Sequence, residues 1–482
     1  MRIKGFENIF YLTEFRVEKS CNAHSVCTFS ASIDAEDENS ILGASGKEIQ
    51  VFWDGEEKAA CIFCGKVEEV RLRRMLHAAL VEVRAESFSA AEDETAHTRI
   101  WQNPRKKLGE VLAISQLALI SCDLRLSKLL LAQTYAAPIL QNQESNFAFL
   151  RRMAAYLEMP LWVEDTKPGK GGIVLAESLS DAVHTIAMDD VIRYTASKSK
   201  RGRKSLALTL KKYLPFGSKV KIAKETQEYV ICGLQVDLQH EVYEFSYALE
   251  PYMEWKYTAP PTAHLEKTTY FEGTVENTKD AKHMGRIQVA FKKGDVKDMD
   301  REKMWLPYQS SYTGLAGGIV FLPDVGDKVQ VVFSNEGVYA TAALRENALA
   351  DECRKVEEKY IGNNSKRRIF FQEKALKIAS SDHTLLMDDD KIELAIGESK
   401  ITMTKDAIRL CQGKTEWLLD AKGIYIKTDG NEMAWNEQGI TGRSEKDIGL
   451  ETKSAVNIAG KGEIRIDAKG KLSLNGSTVN IG

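Results

Sequence analysis

The segment ITGRSEKDIGLETKSAVNIAGKGEIRIDAKGKLSLNGSTVNIG, residues 440–482, decides how this chain is read. Apolar residues recur in it every eight positions, at Ile440, Ile448, Val456, Ile464 and Leu472. Leu450, Ile458, Ile466 and Leu474 keep the same interval two residues behind, and Val479 and Ile481 close the series one residue early. Residues two apart share one face of a strand, so each repeat offers a short strand with two inward apolar side chains. Gly460, Gly462, Gly470 and Gly476 allow tight corners between them. A coil wound by a single chain needs about three faces, roughly 24 residues at this repeat, and about three stacked units to bury a core. The repeats present here are too few for that. Three chains supplying one face each per layer make about five closed layers and leave no strand edge open. The expectation is an intertwined trimeric β-helix, a narrow prism spanning 367–482. The competing reading is a loose β-meander packed on the preceding domain, against which the constant register counts.

Upstream of the prism, residues 348–366 read as a short charged connector and 263–347 as a compact all-β domain. Gly285-Arg286-Ile287-Gln288-Val289-Ala290-Phe291 and Lys328-Val329-Gln330-Val331-Val332-Phe333 alternate, and Pro323-Asp324-Val325-Gly326-Asp327 is a turn signal before the second run. Pro260-Pro261 marks the break with residues 1–262. That first region reads as strands at Val26–Ala31, Ala79–Ala85, Gly172–Ala176 and Tyr229–Leu234, with a helical insertion about 100–165. The clearest helix follows Ser145, an N-cap candidate. Phe147, Leu150, Ala154 and Leu157 then lie on one face, and Pro160 stands beyond the end. The fold class is mainly β: a hub of paired β-barrels with a helical insertion, a small barrel, and the prism.

Three segments, in order, resemble the VgrG proteins of type VI secretion and the hub-and-spike proteins of contractile phage tails and extracellular injectors. In residues 141–165 the hub signature is matched by Gln143, Glu144, Ser145, Phe147, Phe149, Leu150, Arg151 and Arg152, with Asn146 where the family usually has aspartate. In the OB-like collar the motif positions are Gly273, Gly285, Arg286, Trp305, Pro307, Gly314, Gly317, Pro323, Gly326, Asp327 and Val331. The third segment is the eight-residue repeat. The usual glycine-aspartate after the last OB strand is replaced by Ser334-Asn335-Glu336-Gly337. The resemblance implies a homotrimeric spike that caps an Hcp-like inner tube, docks on baseplate components and pierces a target membrane mechanically. It also implies a PAAR-type tip protein seated on Val479, Asn480, Ile481 and Gly482. Any metal would be carried by that tip protein, and effector cargo would be attached to it. The spike would be assembled in the cytoplasm of a bacterium or in a phage-like particle and then secreted or injected.

Composition fits that expectation. The 482 residues carry a net charge of −3, which argues against a dedicated nucleic-acid binder, and Phe291-Lys292-Lys293 is the one basic-aromatic run in the OB segment. The run Lys198–Lys204 reads as a solvated loop. No signal peptide or membrane span is evident, since Glu110, Asp123, Arg125 and Lys128 interrupt the most apolar stretch. The eight cysteines are dispersed and read as buried thiols. Cys61 and Cys64, three apart on a strand, are expected on opposite faces, unable to share an ion. The histidines form no ligand-spaced cluster, and Asp388-Asp389-Asp390 reads as a turn. No Gly-x-Ser-x-Gly elbow appears, the connector is too short for a lysozyme domain, and no toxin sequence follows the repeat. No enzyme is expected. The alternatives are a trimeric surface fibre or adhesin, and a β-helix carbohydrate-active enzyme, for which the repeat is too thin.

Overall fold

Strand Val26–Ile33 alternates half-exposed and buried residues along its whole length, so one of its faces is core. The same period runs through Ala79–Ser87. These strands pair with each other, and Ile9–Ser20 pairs with Val26–Ile33. The computed structural model describes residues 1–481 except 8, 34–37, 55–58, 75–78, 201, 203, 224, 253–267, 292–293, 295, 315–317 and 346–358. Two compact units result, Met1–Glu346 and Asn347–Gly482.

In the first unit, twelve described strands form one sheet. An N-terminal lobe (residues 2–87) and a later lobe (183–251) meet where Arg16–Ser20 pairs antiparallel with Gly233–Asp237. The expected paired barrels are two lobes of this one hydrogen-bonded sheet. Its core runs across both, from Phe29, Ile49 and Val81 to Val230, Val236 and Phe245. Two ion pairs lie at the seam. Arg16 Nε donates to Asp237 at 2.7 Å, and Lys19 meets Asp165 with both side chains almost fully buried.

The insertion is mixed rather than purely helical. Short helices Leu108–Val111, Ile114–Leu117 and Lys128–Ala132 alternate with strands Cys122–Leu126, Ile139–Ser145 and Leu161–Glu164. The mixed apolar period of 106–131 reflects this, because no single element there is long enough to set a phase. Helix Asn146–Tyr156 forms as its sequence directs, with Ser145 Oγ accepting from Ala148 N at 3.0 Å. Among the described residues no helix is long and apolar enough to cross a membrane.

The collar is a five-stranded antiparallel sheet ordered Leu306–Pro307, Arg286–Ala290, Thr269–Asn277, Lys328–Ser334, Gly337–Leu344. Tyr308 bridges to Ala340 and Gln309 N donates to Ala340 O at 2.8 Å, which brings the two ends of that order together. Hub and collar share a joint. Lys297–Asp298 pairs parallel with Arg99–Ile100, and Ile100 and Leu140 of the hub lie in the collar core with Val275, Ile287 and Phe333. Gln102 Nε2 reaches Asp298 Oδ2 at 3.0 Å, and Asp300 Oδ2 accepts from Gln102 N and Asn103 N. The expected boundary at 262/263 lies outside the described residues.

The second unit corrects the expectation of a coil throughout 367–482. From Lys359 to Ser444 the chain is an eleven-stranded antiparallel meander paired within itself. Its first strand, Lys359–Gly362, falls inside the expected connector 348–366, whose residues 348–358 lie outside the described set. From Ala375 onward, strands of six residues are joined by loops of two, such as Ser381-Asp382 and Gly413-Lys414. Two-residue loops can only join antiparallel neighbours, which is why this stretch pairs with itself. Asp388-Asp389-Asp390 is one such turn, with Asp388 Oδ1 accepting from Asp390 N and Lys391 N. After Ser444 there are no strands among the described residues.

Candidate functional site

One face of the meander is apolar from end to end. Cross-strand partners run Ile369, Ile378, Leu385, Leu394, Ile401, Leu410, Trp417, Ile426, Met433 in one row. The neighbouring row on the same face runs Phe371, Leu376, Met387, Ile392, Met403, Ile408, Leu419, Ile424, Trp435, Ile440. The opposite face carries Lys377, Glu393, Arg409, Glu416, Lys427, Glu432 and Arg443. A sheet with one apolar face normally buries it. Here Leu394, Trp417 and Leu419 remain 46%, 52% and 48% exposed.

The positions of these doublets explain where the meander ends. Counting from the first residue of each doublet, intervals alternate seven and nine from 369 to 440 and become a constant eight from 440 to 472. In a hairpin with a two-residue loop, positions 2 and 4 of one six-residue strand face the same way as positions 5 and 3 of the next. The seven–nine alternation therefore holds every doublet on one face. A constant interval of eight would throw every second doublet onto the other face. The antiparallel pattern stops where the arithmetic changes.

Among the described residues, those beyond it pair with no strand. No backbone–backbone hydrogen bond joins 446–481 to the described residues. Ile448, Leu450, Val456, Ile458, Ile464, Ile466, Leu472 and Leu474 are all exposed, at 51 to 77%. Ile440 differs from the rest of its series, lying on the last meander strand, Gly439–Ser444. Val479, Asn480 and Ile481 are exposed as well, and Gly482 lies outside the described residues.

The hub-signature residues come together around one helix start. Glu144 receives two bonds from Arg152, Nε at 2.8 Å and Nη2 at 3.0 Å, and Arg152 lies over the Phe149 ring. Phe149 stacks on Trp101 at 5.4 Å, Leu150 is fully buried, and Phe147 packs against the His24 ring at 3.8 Å. Gln143 holds a positive φ of 49° as the strand turns into the helix, and Arg151 is exposed. Arg99 is buried and donates to Gln141 and to Asn146 Oδ1 at 2.9 Å. His24 bridges Ser89 Oγ and Asp93 Oδ2, both at 2.8 Å, and Asp93 also accepts the Ser145 hydroxyl. Ser89 is fully buried, so this Ser-His-Asp set braces the helix start rather than facing a substrate. Among the described residues no group of three or more His, Cys, Asp or Glu is placed to hold a metal ion.

The collar motif is structural in the same way. Asp280 accepts both Arg286 Nε and Nη2 at 2.8 Å, together with Lys282 N and Met284 N. The Arg286 guanidinium and these amides hold the Asp280 carboxyl far below its usual range. Gly285 and Gly326 adopt φ of 66° and 97° in turns. Gly326 N donates to Val275 O, and Asp327 O accepts from Val275 N. Gly273 is needed for close approach, because a Cβ there would lie 2.2 Å from Val289 Cγ1. Pro323 is buried and Trp305 half-buried, while Gly317 lies outside the described residues.

Cys61 and Cys64 overturn the expectation of opposite faces. A bulge in strand Ala59–Arg74 sets Phe63 opposite Val51 and Cys61 opposite Phe52, which leaves Ile62 as the extra residue. The two thiols are 3.2 Å apart. Simple alternation carries no signal for this bulge.

With this geometry in hand, comparison with known proteins is informative. Residues 271–344 match the family model of the type VI secretion system/phage-baseplate injector OB domain. No curated protein sequence matches the chain. Among solved structures, an Escherichia coli component of the type VI secretion system, itself structurally similar to the bacteriophage T4 tail proteins gp27 and gp5, aligns with a TM-score of 0.52. The identity is 14%, and the alignment covers 71% of this chain and 99% of that one. A Francisella PdpA–VgrG complex aligns at 0.49 and 11% identity over 90% of this chain and 84% of that one. A prophage tail protein of Shewanella oneidensis aligns at 0.41 and 12% over 53% and 97%. Residues 271–344 therefore carry an OB domain of the type VI secretion and phage-baseplate kind, and 71% of the chain shares its fold with a type VI secretion component.

Proposed function

We propose that three copies of this chain intertwine through residues 445–482 and close their meander faces against one another, forming the central spike of a contractile injection machine. The observation that carries this reading is the change of interval at Ile440. A constant eight-residue step relates successive strands by one repeated operation, so they run the same way. Parallel neighbours from one chain need a crossover of about a dozen residues, which an eight-residue repeat lacks. The partners of each strand therefore come from other chains. The uncovered apolar rows of the meander support the same assembly, since three such faces turned to a common axis remove them from water.

The rest of the role follows from the resemblance. The hub's two lobes would match three subunits to a six-fold Hcp-like tube, with baseplate components around it. Residues Val479–Gly482 would seat a PAAR-type tip carrying any metal and effector cargo. Contraction would drive the needle through the target envelope with no chemistry by this chain, secreting or injecting what was assembled in the cytoplasm or a phage-like particle. Negative-stain images of the purified chain test this directly. A head with one tapering needle is expected. A compact particle without a needle would overturn it, and a needle carrying an enlarged distal head would favour a surface fibre instead.

A further inference from the structure

The bulge that gathers Cys61 and Cys64 sits in an unusual setting. Cys61 is partly exposed, whereas Cys64 is fully buried. Cys64 N donates to Asp165 O at 2.6 Å. Asp165 in turn holds the buried Lys19, and its Oδ2 has no hydrogen-bond partner among the described residues. The thiol pair thus lies beside a buried charged pair, with Cys61 the less buried of the two.

We propose that Cys61 and Cys64 form a redox-active dithiol that exchanges with small-molecule disulfides. The Cys61 thiolate attacks one sulfur of the oxidant, forming a mixed disulfide and expelling one thiolate, which takes up a proton. Cys64 gives up its proton and attacks Cys61 Sγ, forming the Cys61–Cys64 bond and expelling the second thiolate. The protein loses two electrons and two protons, and the oxidant leaves as two thiols. Burial sets the order, because Cys61 is half-buried and Cys64 fully buried. The electrostatics agree. The hydrogen bond with Cys64, and behind it one with the Phe63 carbonyl, hold the Cys61 thiol below its ordinary pKa against the opposing effect of burial. The hydrogen bond between the two thiols, together with burial, pushes Cys64 up, which suits a resolving thiol that reacts second. A ring of four residues constrains an unfolded chain less than the long loops that structural disulfides close, so the pair suits exchange better than stapling. The inference rests on the hub alone and stands apart from the spike reading.

The test equilibrates the folded full-length chain in mixtures of reduced and oxidised glutathione, quenches with acid, then alkylates the free thiols after unfolding and reads them by peptide mass mapping. Cys61 and Cys64 should lose alkylation together, in a peptide about 2 Da lighter than the dithiol form. In Cys64→Ser, Cys61 should accumulate a glutathione adduct about tenfold above the parent chain, since nothing resolves it. Two results would overturn the proposal. One is that both thiols stay alkylatable while Cys411 forms adducts; the other is that the parent accumulates the Cys61 adduct as fully as the variant. If Cys64→Ser does not fold, by circular dichroism, the parent's peptide map decides alone.

Discussion

Asn146 does a job that needs an amide. Its Oδ1 accepts from the buried guanidinium of Arg99, and its Nδ2 donates to Glu92 Oε2 at 3.4 Å. Aspartate, the residue the resemblance leads one to expect, would keep the first bond and set two carboxylates against each other. Asn146→Leu should strip a partner from both buried groups and cost about 3 kcal/mol of hub stability, measured as a shift in urea midpoint. Asp280 gives a pH dependence of known sign. Its folded pKa is depressed, so its contribution is present above the unfolded value of about 3.9 and is lost as pH falls through the lower folded value. Asp280→Asn should lower the collar's melting temperature at neutral pH and flatten its decline below about pH 4. If the two melting curves run parallel from pH 7 to acid, the Arg286 clamp is not what sets it. At this scale the sequence was legible where chemistry is local. Ser145 reads as an N-cap because a cap involves only its own first turn. The Cys61–Cys64 contact was not legible, because one extra residue in a strand leaves the alternation on either side of it intact.

Among the elements, strands with clean alternation appear where the pattern places them, at Val26–Ile33, Ala79–Ser87, Arg286–Ala290 and Lys328–Ser334. The meander enters only as the competing reading for a reason that can be stated. A search for one constant period finds the eight-residue series after Ile440 but passes over a series that alternates seven and nine. The alternating series is just as regular, repeating every sixteen residues at Leu376, Ile392, Ile408, Ile424 and Ile440. On the proposed assembly, the two arithmetics separate self-paired strands from strands that would pair with other chains, and they suggest a paired test. Ile466→Asp would bring three carboxylates to one axis, and an unpaired buried charge costs several kcal/mol, so the trimer should be lost. Arg465→Ser, one residue away and outward in the same register, should leave assembly and melting unchanged. Gel filtration separates the outcomes, and equal behaviour of the two variants would refute the inward assignment.

At the scale of the whole molecule, hub and collar form one unit because Ile100 and Leu140 complete the collar's core. Nothing local announces that joint. It is made by two paired residues about two hundred positions apart in sequence, Ile100 and Asp298, so the hub and collar read as separate domains. The spike end carries a prediction of its own: deleting residues 475–482 should abolish capture of a PAAR-type tip protein in a pull-down while sparing the trimer. Retained capture would move the tip site elsewhere. The central claim, that residues 445–482 find their partners only in other copies of the chain, is tested most directly by light scattering on the purified protein. The account predicts a mass three times the 54.0 kDa of one chain, unchanged on dilution. A stable 54.0 kDa monomer at high concentration would contradict it.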